Sequence, residues 1–178
     1  MGSPSVNHVE LIASLSDSER KVLTDKSDVS GLLQATGHTA AIIAFSVWIL
    51  LSLPGWQIAL FLQGILLAFL FTPLHETIHA TAFRSYSLNV WVSRICGFLL
   101  FLPPQWFRYF HFAHHRHTGD IEKDPELASP KPQTPLQYIC HVTGIPVWYS
   151  QIKALLINAL GSPDDVFVPP RGKEKVRS

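Results

Sequence analysis

Apolar residues in this chain fall in long unbroken runs, not in the short alternations of a soluble domain. The first 30 residues are polar and mixed in charge, and a helix-like run begins at Gly31-Leu32-Leu33. From Thr39 to Leu53 almost every residue is apolar; Pro54-Gly55-Trp56 interrupts, and Gln57 to Leu74 forms a second run. With a few flanking residues, each run approaches the roughly 20 needed to cross a bilayer core of about 30 Å. A Pro-Gly pair between two such runs is a turn signal. The pattern therefore predicts a transmembrane helical hairpin, with Trp56 at the interface where an amphipathic ring is favoured.

Beyond the hairpin the pattern changes. Val90 to Leu102 is apolar but broken by Ser93 and Arg94, and it stops at Pro103-Pro104. It is too short to span, which predicts an interfacial or re-entrant segment. Residues 118–135 are polar and proline-rich and read as a loop. Leu136 to Leu160 is again apolar but carries Gly144, Pro146 and Lys153, predicting two helices at the membrane surface, with a third span as the alternative. From Gly161 the chain is polar and reads as extended. The expected organisation is a polar head (1–30), a membrane domain (31–160) and a polar tail (161–178). The expected fold class is all-α integral membrane, a hairpin followed by cytoplasmic or interfacial helices.

Composition sharpens this picture. Only 15% of the 178 residues are charged, well below the quarter typical of soluble domains, and no Asp, Glu, Lys or Arg occurs between Asp28 and Glu76. The net charge is +1 and no basic stripe is present, which argues against a nucleic-acid partner. Basic residues flank the hairpin (Arg20, Lys21 and Lys26 before it; Arg84, Arg94, Arg108, Arg116, Lys123 and Lys131 after it) and avoid its turn. The positive-inside rule then places both flanks in the cytoplasm. Cys96 and Cys140 lie in apolar surroundings and read as buried thiols, without a disulfide framework. The polar N-terminus does not fit a cleavable signal peptide, and Val6 occupies the position where a myristoylation motif needs Ser or Thr.

The chemistry lies in histidine. Six of nine fall between His75 and His117. In His75-Glu76-Thr77-Ile78-His79 the i, i+4 spacing puts both imidazoles on one helix face. In His111-Phe112-Ala113-His114-His115-Arg116-His117, His111 shares a face with His114 and His115, while His117 falls off it. Two such faces turned together would converge up to five imidazoles, a donor set suited to Fe, Zn, Cu or Ni. Uncompensated histidine is costly near a membrane, so packing explains these clusters poorly. His8, His38 and His141, standing alone, read as hydrogen-bonded structural residues. The first cluster also matches H-E-x-x-H, the zinc protease helix with Glu76 as base. One zinc has no use for all the remaining histidines, and their excess favours a two-metal site.

These boxes, His75-x-x-x-His79 and His111-x-x-His114-His115, resemble those of the membrane fatty acid desaturase superfamily, as do the preceding hairpin and Lys123-Asp124-Pro125-Glu126. The resemblance implies a non-haem di-iron centre held by His75, His79, His111, His114 and His115, with O₂-dependent desaturation or hydroxylation of a lipid chain. It further implies Glu76, Asp120 and Asp124 as groups that orient ligand imidazoles, and an external ferredoxin or cytochrome b5-type electron donor. The superfamily has a third box, of H-x-x-H-H type, well downstream; here only His141 follows the second box. The chain is therefore expected to be an N-terminal portion, inactive alone, with a partner chain as one source of the third box. The alternatives are a membrane zinc metalloprotease and a non-catalytic remnant or subunit.

Overall fold

The computed structural model describes residues 8–129, 131–161 and 164–177. Met1, Gly2, Val6 and the side chain of His8 lie outside the described residues. Ten α-helices and no strands occur among the described residues. Two short helices, α1 (His8–Ser14) and α2 (Asp17–Thr24), precede the hairpin. Ser16 and Glu19 form a reciprocal capping box that fixes the start of α2.

α3 (Asp28–Leu50) has 23 residues, about 35 Å at 1.5 Å per residue. α4 (Trp56–Ala68) continues with one break into α5 (Phe71–Ile78), and Trp56–Ile78 together form a second helix long and apolar enough to cross. The turn forms at the expected place. Ser52 (φ 49°) and Gly55 (φ 80°) take the left-handed conformation, and the Trp48 indole donates to the Pro54 carbonyl at 3.1 Å. Inside the hairpin, Gln63 Nε2 donates to Ser46 Oγ (2.8 Å), and His38 Nε2 lies 2.9 Å from the Leu66 carbonyl. His38 thus has the structural partner expected of a lone intramembrane histidine.

α6 (Tyr86–Leu99) and α7 (Pro104–His117) meet at a 98° bend, set by Pro103-Pro104, which ends one helix and starts the next. A Cβ at Gly97 would stand 2.6 Å from both the Leu102 carbonyl and the Pro104 ring, so only glycine admits this corner. Loop 118–135 contains a 3₁₀ turn (Pro125–Leu127) capped by Asp124. The apolar stretch that follows divides as expected into α8 (Pro135–Val142) and α9 (Ile145–Ala159), separated at Gly144. Leu70, Leu74, Ile78, Cys96, Leu102 and Phe107 form the core cluster, uniting α5, α6 and the start of α7.

The tail differs from the extended segment expected. Residues 164–177 fold over α7 through a 3₁₀ turn (Pro170–Gly172) and α10 (Lys173–Arg177). Val168 and Val176 are buried, Phe167 packs edge-on against Trp106 and Phe110, and Trp106 Nε1 donates to Asp165 at 2.7 Å. Trp106 and Phe110 on α7 offer an apolar face, and Phe167 of the tail covers it.

Candidate metal centre

α5 carries the first pair of histidines and ends with it. Its last turn closes in a Schellman motif: the Ala80 N–H donates to the Thr77 carbonyl and the Thr81 N–H to the Glu76 carbonyl, both at 3.0 Å. Ala80 is left-handed at φ 57°, a conformation that costs a non-glycine residue on the order of 1 kcal/mol. The chain thereby turns sharply away after His79 and leaves its ring open to α7. On α7, helical spacing brings His111 and His115 to the same side, and the two helices face each other across this volume.

His75, His79, His111 and His115 converge. One ring nitrogen from each lies within 4.8 Å of the others. Ring centroids are 4.9 Å apart for His75–His79, 4.5 Å for His75–His111, 5.1 Å for His79–His115 and 4.4 Å for His111–His115. His111 is the buried member, and its Nδ1 has no hydrogen-bond partner; the Glu126 carboxylate stands 3.9 Å away. His115 is exposed, so the cluster opens on one side. Phe71, Phe107 and Phe112 pack against His75, His111 and His79 respectively, making an apolar wall on the protein side.

Electrostatics favour the neutral ring at His111 and His79. Burial first, then the neighbouring imidazoles, pushes His111 down to about 4, and the same causes lower His79. Neutral imidazole is the form that ligates a cation. At metal–nitrogen distances of about 2.0–2.1 Å, opposite ligands of one ion lie about 4 Å apart. His111 Nε2 and His115 Nε2 lie 2.9 Å apart and the four ring nitrogens within 4.8 Å of one another, so the donor set fits an ion.

His114 stands apart. Its ring lies 5.9 Å from that of His111 and 5.8 Å from that of His115, and its Nδ1 is bonded to Asp124 at 2.9 and 3.1 Å. That hydrogen bond raises the His114 pKa. Burial raises Asp124, but the bonds it accepts from His114 and from the Glu126 and Gly119 N–H groups outweigh that and hold it low. Glu76 accepts from His75 Nδ1 (3.1 Å) and from Thr81 Oγ1 (2.6 Å). Asp120 bonds the Glu122 N–H and pairs with Lys123, and reaches no imidazole. His141 is exposed on α8. Glu126, 3.5 Å from His114 Nδ1, was not singled out from sequence. Its signal was the Asp-Pro-Glu string, in which a capping Asp folds the next carboxylate back toward the same helix.

The family model described as fatty acid desaturase matches residues 31–170, which hold every one of these residues. The chain belongs to the fatty acid desaturase family. Its curated relatives include the sn-1 oleoyl-lipid 12-desaturase of Picosynechococcus sp., 37% identical over 55% of this chain and 26% of that protein. Beta-carotene 4-ketolase 3 of Haematococcus lacustris is 37% identical over 38% of this chain and 23% of its own length. The endoplasmic reticulum omega-3 fatty acid desaturase of Vigna radiata is 30% identical over 52% and 23%. The chain thus spans about a quarter of the length of the curated relatives it matches. No solved structure matches it. Family membership and the two apolar helices make it a membrane protein.

Proposed function

We propose that this chain carries part of the iron site of a membrane oxidase that desaturates or hydroxylates a lipid chain. The reading rests on one observation above all: four imidazoles from two helices converge on one volume. His75, His79, His111 and His115 would hold one iron. His114, set apart and oriented by Asp124, would serve a second, whose other ligands come from elsewhere, a partner chain being one source. Iron bound there would supply O₂ activation for attack on an unactivated C–H bond.

The chain's own residues set the terms of that chemistry. With Glu76 accepting from Nδ1 of His75, the other ring nitrogen would be left for a metal, and Asp124 would do the same for His114; such carboxylates fix the tautomer and raise ligand basicity. The phenylalanine wall excludes water from the protein side. The exposed side, at His115, is where a lipid chain and an external donor of ferredoxin or cytochrome b5 type would have access. In the zinc hydrolase alternative Glu76 would have to give up its bonds to His75 and Thr81 to act as base.

Metal analysis of the detergent-purified chain, grown with iron and zinc both available, tests the reading. Iron near one per chain is expected. His75→Ala, His79→Ala, His111→Ala and His115→Ala should each weaken retention by about tenfold or more, in line with the loss of a ligand or its support. His114→Ala should leave that first ion in place. Zinc in preference to iron, or equal retention across all five variants, would sink the assignment.

A further inference from the structure

Where α7 begins, a second site is built from different residues. A cavity of about 190 Å³ is lined by Arg94 of α6, Gln105 of α7, Leu155 and Asn158 of α9, and Lys175 and Val176 of α10. Gln105 precedes His111 by about 9 Å along the helix axis, so this cavity is separate from the histidine cluster.

Asn158 is the feature that calls for a ligand. It is 2% exposed, and neither its amide nitrogen nor its amide oxygen has a hydrogen-bond partner. Burying an amide with both ends unpaired is costly, and native proteins rarely leave one so. The cavity has room for about six waters at about 30 Å³ each, more than a single bridging water would fill.

The surroundings specify charge. Among the described residues, the Arg94 guanidinium lines the cavity and no carboxylate does. α7 has fourteen residues and Pro104 at its first position, and its first carbonyl-directed donor is the Phe107 N–H, to Pro103 at 2.9 Å. The N–H groups of Gln105 and Trp106 therefore stand at the positive end of the helix, an arrangement that favours anions. Arg94 lies 5.5 Å over the Trp91 ring, beside the exposed Ile95 and Phe98. A guanidinium on an apolar helix face of this kind sits at the level of lipid headgroups.

We propose that this cavity binds a phosphate-type oxyanion that also carries a hydroxyl. The oxyanion would take the Arg94 guanidinium, the Gln105 N–H and the Asn158 NH₂; the hydroxyl would donate to the Asn158 side-chain oxygen, Oδ1. Two sources share that chemistry, the glycerophosphate headgroup of an anionic lipid and free hydrogenphosphate.

The test uses the full chain in detergent, with phosphatidylglycerol and inorganic phosphate as probes, followed by native mass spectrometry and thermal unfolding. Wild type should retain one phosphatidylglycerol or unfold at higher temperature in phosphate. Lipid retention alone assigns the headgroup as source, and a phosphate response alone assigns the free anion. Phosphatidylcholine, which has a phosphate but no headgroup hydroxyl, should bind more weakly. Arg94→Gln should weaken either interaction by about tenfold, the scale of one charge-assisted hydrogen bond. Asn158→Leu should abolish it, while unfolding at or above the wild-type temperature without phosphate, because the unpaired amide is gone. Arg94 is exposed, so its variant serves even if leucine does not fit at 158. Failure of both probes to bind, or binding unchanged in Arg94→Gln and Asn158→Leu, overturns the proposal.

Discussion

His111 carries the strongest single consequence of the cluster. Its ring has the rings of His75, His79, His114 and His115 around it, with Glu126 at 3.9 Å, and burial with these neighbours holds its pKa near 4. In the unfolded chain a histidine titrates near 6.5. Between those values the unfolded state binds a proton that the folded state does not, so stability falls as pH drops from about 6.5 to about 4. The upper bound on this loss is about 3 kcal/mol. Denaturant unfolding of the chelator-treated chain across that range should show it, and His111→Phe should flatten the curve; an unchanged curve in the variant would remove His111 as its cause. The spacing of both boxes was legible at this scale, because a helix of known pitch fixes which histidines share a face. The position of His114 was not. It turns toward a carboxylate ten residues on, across a turn whose path no periodicity encodes, and Glu126 went unseen for the same reason.

Among the elements, α3 and the loop after α5 are tied by a set of polar bonds. Asp28 accepts from the Ser85 N–H at 2.8 Å and from its hydroxyl. Lys26 Nζ donates to the Ala80 carbonyl, and Arg84 Nε to the Lys26 carbonyl, each at 2.8 Å. Gly31 lies at this junction, where a Cβ would stand 2.5 Å from the Ala82 carbonyl and 2.6 Å from the Phe83 ring. Phe83 is itself buried, with Asn89 bonded to its N–H and carbonyl, so neither neighbour has room to yield. Gly31→Ala should therefore destabilise by about 1–3 kcal/mol, the usual cost of overpacking. Gly37→Ala, one to two turns on and with open space around its Cβ, should be neutral or stabilising by up to about 1 kcal/mol. Thermal unfolding of the two variants checks this, and equal shifts would mean that α3 does not seat on the loop. The hairpin turn and the α6–α7 corner could be read in advance because Pro-Gly and Pro-Pro act locally. This junction could not, since Asp28 and Ser85 meet across a whole hairpin. Nor could the docked tail, whose few apolar residues give no sequence period.

For the molecule as a whole, the two crossings decide where the chemistry sits. α3 leaves one face of the bilayer and α4 with α5 returns to it, so the polar head and the histidines share a side; the Lys26–Ala80 hydrogen bond joins the two directly. Exposed apolar side chains along the hairpin, such as Ile43, Ile58 and Phe61, are the surface that lipid covers. Basic residues on both flanks, and their absence from the turn, favour the cytoplasm for the histidine side. Thiol labelling in intact cells tests this orientation. Cys96 is buried as expected, but Cys140, on the exposed surface of α8, is not, so Cys140→Ser provides a quiet background. In it, Ser52→Cys at the turn should react with a membrane-impermeant reagent from outside. Thr118→Cys, just past the second box, should react only after permeabilisation. Because the Lys26–Ala80 link fixes head and histidines to one face, the opposite result would turn the whole arrangement over, leaving the cluster intact but on the face away from the cytoplasm.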